Sequence, residues 1–337
     1  MTPRDVVVAE VRRLFGDGLA ELAERLSDLG ESDGPELSGL DPARTDEVLR
    51  DGTAGLAKLA LGGPDELTAA EVTGLEAIIA LEGRPALFIQ GGDFFGAPPL
   101  WHGLNDHRDA IRSSIAGVGR VDLTGHDGLD WVGTGFLAGP DAIITNRHVA
   151  AAFARSGPDG RRFSPGLSAS LDFNHEQGAI EPLSFALTGI VGVHEQCDLA
   201  VLAIAPVGGA GQALPSPLPI ATSAPGTVTD RPVYVVGYPG WDGTRNDAAE
   251  MHRIFSGVYE VKRLQPGLIT SAPDGSRTFT HDCSTLGGNS GSPVIDLATH
   301  QVVGLHFGGA YLAANDAIPL WLLADDELLR AAGINFV

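Results

Sequence analysis

Basic residues are scarce in this sequence, and long apolar runs are missing. Lys and Arg number 22 against 43 Asp and Glu, which gives a formal net charge of −21. A surface of this sign repels nucleic acid and anionic membranes, so we expect neither as a partner. Charged residues interrupt the N-terminus where a secretory signal needs an apolar core, and no run approaches the ~18 apolar residues of a membrane span. The sequence therefore predicts a cytoplasmic protein.

Cysteine is nearly absent, since only Cys197 and Cys283 occur in 337 residues. Two cysteines support no disulfide framework, and we expect both as buried free thiols. His281 lies close to Cys283 in the sequence, but two ligands do not make a zinc site. No Gly-Lys-Ser/Thr phosphate loop is present either. We therefore expect no metal and no cofactor.

Glycine and proline are plentiful, at 45 and 22 residues, and the spacing of apolar residues changes along the chain. Up to residue 84 apolar residues recur with helical spacing, and Thr2 and Thr68 begin helices as N-caps, the latter with Glu71 as a capping box. After Val118 the period drops toward two over about ten short runs, which is typical of an antiparallel barrel or sandwich. The sequence predicts a helical bundle over 1–84, a connection over 85–116 and a β domain over 117–337.

One serine lies in an unusually glycine-rich stretch, "GGNSGSPV" at residues 287–294. A serine hydroxyl is a poor nucleophile unless a base activates it and a third group orients that base. His148 follows a strand in "ITNRHVAAAF", and Asp198 precedes another in "HEQCDLAVLAI". Their order, His148, Asp198, Ser290, is the order of chymotrypsin and differs from that of subtilisin-type and α/β-hydrolase chains. These three residues form a candidate catalytic triad.

The glycines around Ser290 have a chemical use. Acyl transfer is accelerated by backbone N–H groups aimed at the developing oxyanion, and glycines let the backbone approach the substrate closely. We expect the amides of Gly288 and Ser290 to form this oxyanion hole.

The stretches "TNRHVA", "CDLAVLAI", "VYVVGYPG" and "STLGGNSGSPV" with "VVGLHFGG" resemble the chymotrypsin-fold serine peptidases, and specifically the bacterial V8-like glutamyl endopeptidases. The resemblance covers roughly 60% of the chain and is specific in its motifs. It implies a mainly β fold, a double antiparallel β-barrel behind the helical N-terminal domain, and a protein or peptide substrate.

The resemblance also implies a substrate pocket. In the glutamate-specific members a histidine in a strand and a hydroxyl five positions before the nucleophile hold the substrate carboxylate, and His306 and Thr285 occupy those positions. Both can donate hydrogen bonds, and an imidazolium adds charge. An acidic P1 residue is therefore our hypothesis, with a merely structural His306 as the alternative. Asn289 replaces the aspartate used in zymogen activation of trypsin-like enzymes, so that route is not expected here.

The remaining histidines receive no role in this interpretation: His102, His107, His126, His175, His194, His252, His281 and His300. Residues 237–255 are expected to form a mobile loop.

The helical domain resembles the small recruitment domains of bacterial conflict-system proteases in size, helix count and position, not in any motif. It is expected to bind a protein partner or only to support the barrel. Two functions stay open: a regulated cytosolic serine endopeptidase, in a bacterial defence pathway, or a catalytically silent peptidase scaffold that acts as a binding module.

Overall fold

The computed structural model describes residues 2–29, 42–157, 160–243, 248–310 and 314–337. Within these stretches the helices are α1 (Pro3–Phe15), α2 (Leu19–Leu29), α3 (Pro42–Ala60), α4 (Ala69–Ile78), α5 (Arg108–Ala116), α6 (Arg147–Ala151), α7 (Ala248–Phe255) and α8 (Glu327–Ala331). The strands are β1 (Leu87–Gln90), β2 (Asp93–Phe95), β3 (Val118–Thr124), β4 (Trp131–Leu137), β5 (Ala142–Thr145), β6 (Ala154–Gly157), β7 (Gly160–Phe163), β8 (Ser168–Asp172), β9 (Ser184–Val193), β10 (Ala200–Ile204), β11 (Pro232–Gly237), β12 (Arg263–Ser271), β13 (Phe279–His281), β14 (Pro293–Asp296), β15 (Val302–Ala310) and β16 (Ala314–Pro319). None of these helices is both long and apolar enough to cross a membrane.

The chain divides into two compact units. The first, here called the helical unit, comprises Met1–Ala86, Ala97–His102 and Gly243–Val258. The second, the barrel unit, comprises Leu87–Gly96, Gly103–Asp242 and Tyr259–Val337. The residues expected as a connection, 85–116, thus contribute to both units.

The helical unit begins its helices where the sequence predicts. Thr2 and Thr68 each accept a hydrogen bond from the backbone N–H three residues on, at 3.2 Å. The carboxylate of Glu71 accepts from the Thr68 N–H at 2.8 Å in return, which completes the predicted capping box. Apolar side chains from α1, α3 and α4 then form a core of their own, in which Val11, Leu56 and Leu75 are fully buried.

The expected loop over 237–255 is wrong for its last eight residues. Residues Ala248–Phe255 form α7, which belongs to the helical unit and contacts the Ile79–Gly83 extension of α4. Met251 and Phe255 have no exposed surface. The apolar side chains of α7 are therefore part of a packed structure.

Helices α3 and α4 cross at a pair of glycines. A Cβ atom on Gly74 would lie 2.1 Å from the backbone nitrogen of Gly52, and one on Gly52 would lie 2.5 Å from the carbonyl oxygen of Gly74. Backbone atoms cannot move away as side chains do, so this close crossing requires glycine at both positions.

The barrel unit contains two closed antiparallel barrels, which confirms the predicted fold class. The first has the strand order β10-β5-β4-β3-β8-β9 around a core that includes Leu171, Phe185 and Leu202. The second has the order β11-β14-β15-β16-β13-β12 and is closed by pairing between β11 and β12. Strand β1 extends this second sheet from β12, and β2 pairs with β1.

Two strand predictions differ from the structure. The alternating pattern of "GVYEVKRL" at residues 257–264 predicts a strand over that run, but β12 starts only at Arg263 and continues to Ser271. Strand β16 was not predicted, because its sequence, "ANDAIP", carries polar residues and little β propensity. Its pairing with both β13 and β15 holds it in the sheet.

The glycine crossing generates a stability prediction for the helical unit. Gly74→Ala should lower the free energy of unfolding by about 2–3 kcal/mol, because the new methyl group overlaps backbone. Gly18→Ala is the matched control, since a Cβ there has no neighbouring atom within 4 Å and should change stability little. Urea unfolding followed by helical circular dichroism measures both. Equal stability of the two variants would contradict the close crossing.

Candidate active site

Strand register brings His148 and Asp198 together. In the pairing of β5 with β10, Thr145 lies opposite Ala200. Counting two residues outward on each strand places Asp198 opposite Arg147, next to His148 at the start of α6. The side chain of Asn146 donates to the carbonyl of Asp198 at 2.9 Å and fixes the same junction.

Both carboxylate oxygens of Asp198 are used by His148. The ring Nδ1 lies 2.6 Å from Oδ2, and the backbone N–H donates to Oδ1 at 3.0 Å. Burial alone raises the pKa of Asp198, but the hydrogen bonds and charge from His148, with Arg147, bring it below its ordinary value. An ionised carboxylate only accepts, so Nδ1 carries the proton and Nε2 is left with a lone pair. His148 thereby has the tautomer of a general base.

Ser290 lies in a turn that only glycine permits. Gly288 and Gly291 have φ of 89° and 91°. A Cβ atom on Gly291 would lie 2.0 Å from the carbonyl oxygen of Thr134 in β4. The Thr134 N–H in turn donates to the carbonyl of Ser290 at 2.9 Å. The turn before β14 is thus joined directly to the first barrel.

Ser290 and His148 converge on Gly133. A Cβ atom at Gly133 would lie 2.9 Å from the side chain of Val149, the neighbour of His148, and 3.0 Å from the carbonyl of Ser290. Within the described residues Ser290 Oγ makes no hydrogen bond, so the bond between Ser290 and His148 is not formed in this geometry. Catalytic hydrogen bonds of this kind commonly tighten only when substrate binds.

Two carbonyl groups fix the direction of the predicted oxyanion donors. The Gly287 oxygen accepts from the Gly240 N–H at 2.6 Å, and the Asn289 oxygen accepts from the Ser292 N–H at 2.9 Å. In a trans peptide the carbonyl and the next N–H point in opposite directions. The N–H group of Gly288 therefore points away from Gly240, and that of Ser290 points away from the Ser292 N–H group. Neither donates to another group in the described parts of the chain.

A further anchor of this turn was missed by sequence reasoning. Thr134 Oγ1 donates to the Gly288 carbonyl at 2.8 Å and accepts from the Tyr238 N–H at 3.3 Å. Nothing in the order of the sequence links Thr134 to the glycine-rich stretch, since the contact depends on the packing of one barrel against the other.

The two predicted substrate-binding residues have partners that the sequence did not indicate. His306 is 3% exposed, and its Nδ1 lies 3.2 Å from Nε2 of the fully buried His281. Thr285 donates its hydroxyl proton to Asn315 Oδ1 at 2.6 Å, while Asn315 Nδ2 donates to the Cys283 carbonyl at 2.7 Å. His281, to which the sequence analysis assigned no role, thus contacts the predicted pocket residue His306.

The unpredicted strand β16 explains these contacts. It lies between β13 and β15, with Asn315 opposite His281 and Ala317 opposite His306. The small Ala317 leaves room for two imidazoles from strands that are not neighbours. The sequence could have indicated these contacts only if β16 had been recognised as a strand.

His306 is neutral in this site. Burial, reinforced by the nearby His148, lowers the pKa of His306 to about 3. Burial also lowers the pKa of His281 well below its usual range. The expectation that an imidazolium contributes charge to the unliganded pocket is therefore not met. When His281 Nε2–H donates to His306 Nδ1, the Nε2–H group of His306 remains available as a donor. This arrangement leaves His281 Nδ1 as an unpaired acceptor, which costs less than the unpaired N–H donor of the reverse arrangement.

Within the described residues, no group of three or more His, Cys, Asp or Glu side chains is placed to hold a metal ion. Both cysteines are free thiols, Cys283 buried and Cys197 half-buried.

Several known proteins are similar in sequence to this chain. The family model of the trypsin-like peptidase domain matches residues 133–305. A probable serine protease of Lysobacter enzymogenes is 30% identical over 331 residues, which cover 87% of this chain and 84% of that protein. The glutamyl endopeptidase of Staphylococcus epidermidis is 28% identical over 194 residues, 57% of this chain and 59% of that protein.

Among solved structures, the active form of a protease from M. tuberculosis matches with 23% identity and a TM-score of 0.44, over 69% of this chain and 87% of that chain. The family match includes His148, Asp198 and the turn that carries Ser290. Together with the similarity over most of the chain to the Lysobacter protein, it places this chain in the trypsin-like serine peptidase family.

Proposed function

We propose that this chain is a serine endopeptidase in which His148, Asp198 and Ser290 form the catalytic triad. The observation that carries the proposal is the pair of hydrogen bonds from His148 to Asp198, at 2.6 and 3.0 Å, beside a serine in a left-handed glycine turn. Family membership supplies the reaction class, hydrolysis of a peptide bond.

The proposed reaction follows from these positions. His148 Nε2 accepts the proton of Ser290 Oγ as the oxygen attacks the substrate carbonyl. The negative charge that develops on the carbonyl oxygen is stabilised by the N–H groups of Gly288 and Ser290. The same imidazole then donates the proton to the leaving amine, and water releases the acyl group by the reverse steps. Asp198 keeps the imidazole oriented and stabilises its charged form.

The specificity that we propose is an acidic P1 residue held by Thr285 and His306. The glutamyl endopeptidases among the relatives and the buried His281–His306 pair support this assignment. Because His306 is neutral before substrate binds, the substrate carboxylate first meets a hydrogen-bond donor rather than a charge. Thr285 would have to turn its hydroxyl from Asn315 toward the substrate.

The first prediction tests the triad and the pocket together. Peptides that differ only at P1 (Glu, Asp, Arg, Phe, Ala) should be cleaved fastest after Glu, and Ser290→Ala should reduce kcat/KM by at least about 10⁴-fold. Ser168→Ala, at an exposed position of β8, is the matched control and should retain activity.

Two outcomes would count against this assignment. Equal rates after Glu, Arg and Phe would remove the acidic preference while leaving the triad intact. Failure of an active-site phosphonate to label wild type, with no cleavage, would favour the silent binding scaffold.

The second prediction concerns the anchor of the oxyanion turn. Thr134→Val keeps the shape of the side chain but removes the hydrogen bond to Gly288, so kcat should fall about tenfold with little change in KM. Thr134→Ser retains the hydroxyl and should behave as wild type. A larger effect on KM than on kcat would mean that Thr134 acts on substrate binding instead.

The third prediction is a pH dependence. A bound Glu carboxylate raises the pKa of His306 from about 3, so substrate binding takes up a proton. The ratio of kcat/KM for Glu over Gln peptides should therefore rise at least about threefold from pH 8 toward pH 5, before the substrate carboxyl itself protonates. Any pH effect common to both substrates cancels in the ratio. His306→Gln should make the ratio independent of pH over this window, and a flat ratio in wild type would argue against His306 as the ligand.

The proposal extends to the rest of the chain. We propose that the helical unit, which has an apolar core of its own, binds a protein partner and controls the peptidase. The two free thiols are consistent with a cytoplasmic enzyme. A role in bacterial defence stays a prediction from the resemblance of the helical domain.

A further inference from the structure

Three residues directly after β11 contact the oxyanion turn and belong to the same barrel unit. They are Tyr238, Pro239 and Gly240, which we call the support segment. The Gly240 N–H donates to the Gly287 carbonyl at 2.6 Å. That carbonyl lies in one peptide plane with the Gly288 N–H group, so the bond sets the direction of this proposed oxyanion donor.

The first N–H group of the support segment holds the next peptide of the turn. The Tyr238 N–H donates to Thr134 Oγ1 at 3.3 Å, and this hydroxyl donates to the Gly288 carbonyl at 2.8 Å. Pro239 has no N–H group, and its carbonyl accepts from the Glu260 N–H at 2.7 Å. Both N–H donors of the support segment therefore act on the oxyanion turn, one directly and one through Thr134.

The side chain of Tyr238 attaches the support segment to the first barrel. It is fully buried, and its hydroxyl donates to the Asp172 carbonyl at 3.2 Å. This acceptor lies in the same row as Thr134, because Arg120 of β3 is opposite Thr134 on one side and opposite Asp172 on the other. Neighbouring strands are about 4.8 Å apart, so Thr134 and Asp172 are separated by about 10 Å. Tyr238 bridges this gap, with its backbone N–H at one end and its hydroxyl at the other.

A buried lysine lies beside the Tyr238 ring. Lys262 Nζ is 6.0 Å from the ring centroid and donates at 2.6 Å to the carbonyl of Phe173, the residue directly after β8. The phenol keeps its proton, since burial and the carboxylates of Asp172 and Glu176 raise the pKa of Tyr238 well above its usual range. The hydroxyl of Tyr238 is therefore a permanent donor to the end of β8, with a cation bound to the same strand end next to its ring.

Tyr234 provides a comparison within the same strand. It lies in β11, it is fully buried, and its hydroxyl is 2.9 Å from Ser114 Oγ. Its backbone, however, lies opposite Pro266 of β12 and Ile295 of β14. Loss of the Tyr234 hydroxyl is therefore expected to weaken the packing of the barrel without displacing the support segment.

We propose that Tyr238 is a positioning residue for the oxyanion hole. Its hydroxyl bond to the end of β8 holds the support segment where Gly240 directs the Gly288 N–H toward the reacting carbonyl. Because negative charge develops on that carbonyl only in the transition state, Tyr238 acts on the chemical step rather than on substrate binding. The proposal rests on the peptidase function proposed above.

Tyr238→Phe tests this proposal, with Tyr234→Phe as the matched control. Loss of a whole oxyanion donor costs about 100-fold or more in kcat, so a poorly aligned one should lower kcat about five- to tenfold, with KM within about twofold of wild type. A peptide aldehyde forms a tetrahedral adduct with the serine and places its oxygen in the oxyanion hole. Its affinity for Tyr238→Phe should fall by the same factor as kcat/KM. Tyr234→Phe should keep the wild-type kcat and aldehyde affinity.

Rates are expressed per reactive Ser290, counted by complete labelling with a phosphonate, so that a smaller folded fraction does not change them. Equal kcat values for Tyr238→Phe and Tyr234→Phe would overturn the proposal. So would a rise in KM without a fall in kcat, or an unchanged affinity for the aldehyde. If wild type cleaves no peptide and Ser290 does not react with the phosphonate, the peptidase function itself is wrong, and the positioning role of Tyr238 is wrong with it.

Discussion

The hydrogen bonds between Thr134 and the turn of Ser290 are the constraint on which the active site depends. One strand of the first barrel supplies both a backbone donor to Ser290 and a hydroxyl donor to Gly288. The contact is so close that Gly291 has no room for a side chain. Because the turn of Ser290, the proposed nucleophile, is attached to the barrel that carries His148, the proposed base, their separation is set by two sheets rather than by loops alone.

The proposed substrate pocket carries no charge of its own. His281 and His306 are buried and neutral, so an acidic P1 side chain would meet a hydrogen-bond donor rather than a cation there. Such a pocket acts at short range and does not depend on steering from afar.

Much of the fold could be predicted from the sequence, and so could the proximity of His148 to Asp198. Period-two apolar runs placed most strands, Thr2 and Thr68 marked helix starts, and the order of His148, Asp198 and Ser290 indicated one fold among several. These features are local, or they depend on order alone.

Thr134, His281 and Asn315 could not be found in this way, because their contacts join strands that are distant in the sequence. The polar strand β16 could not be predicted for the same reason, because pairing with β13 and β15 stabilises it rather than the β propensity of its own residues. The protonation state of His306 likewise depends on burial, which a one-dimensional pattern does not give.

The position of α7 has a consequence for how the two units are connected. Between β11 and β12 of the second barrel, the chain leaves the barrel unit, contributes Gly243–Val258 to the helical unit and returns. With Ala97–His102, this makes five points at which the backbone passes from one unit to the other. A gene fusion that appended a helical domain to a peptidase would produce one such passage. Along the chain, the segments of the helical unit therefore alternate with those of the barrel unit. Removing the N-terminal helices would expose the apolar side chains of Met251 and Phe255, on a segment that lies between β11 and β12 of the second barrel.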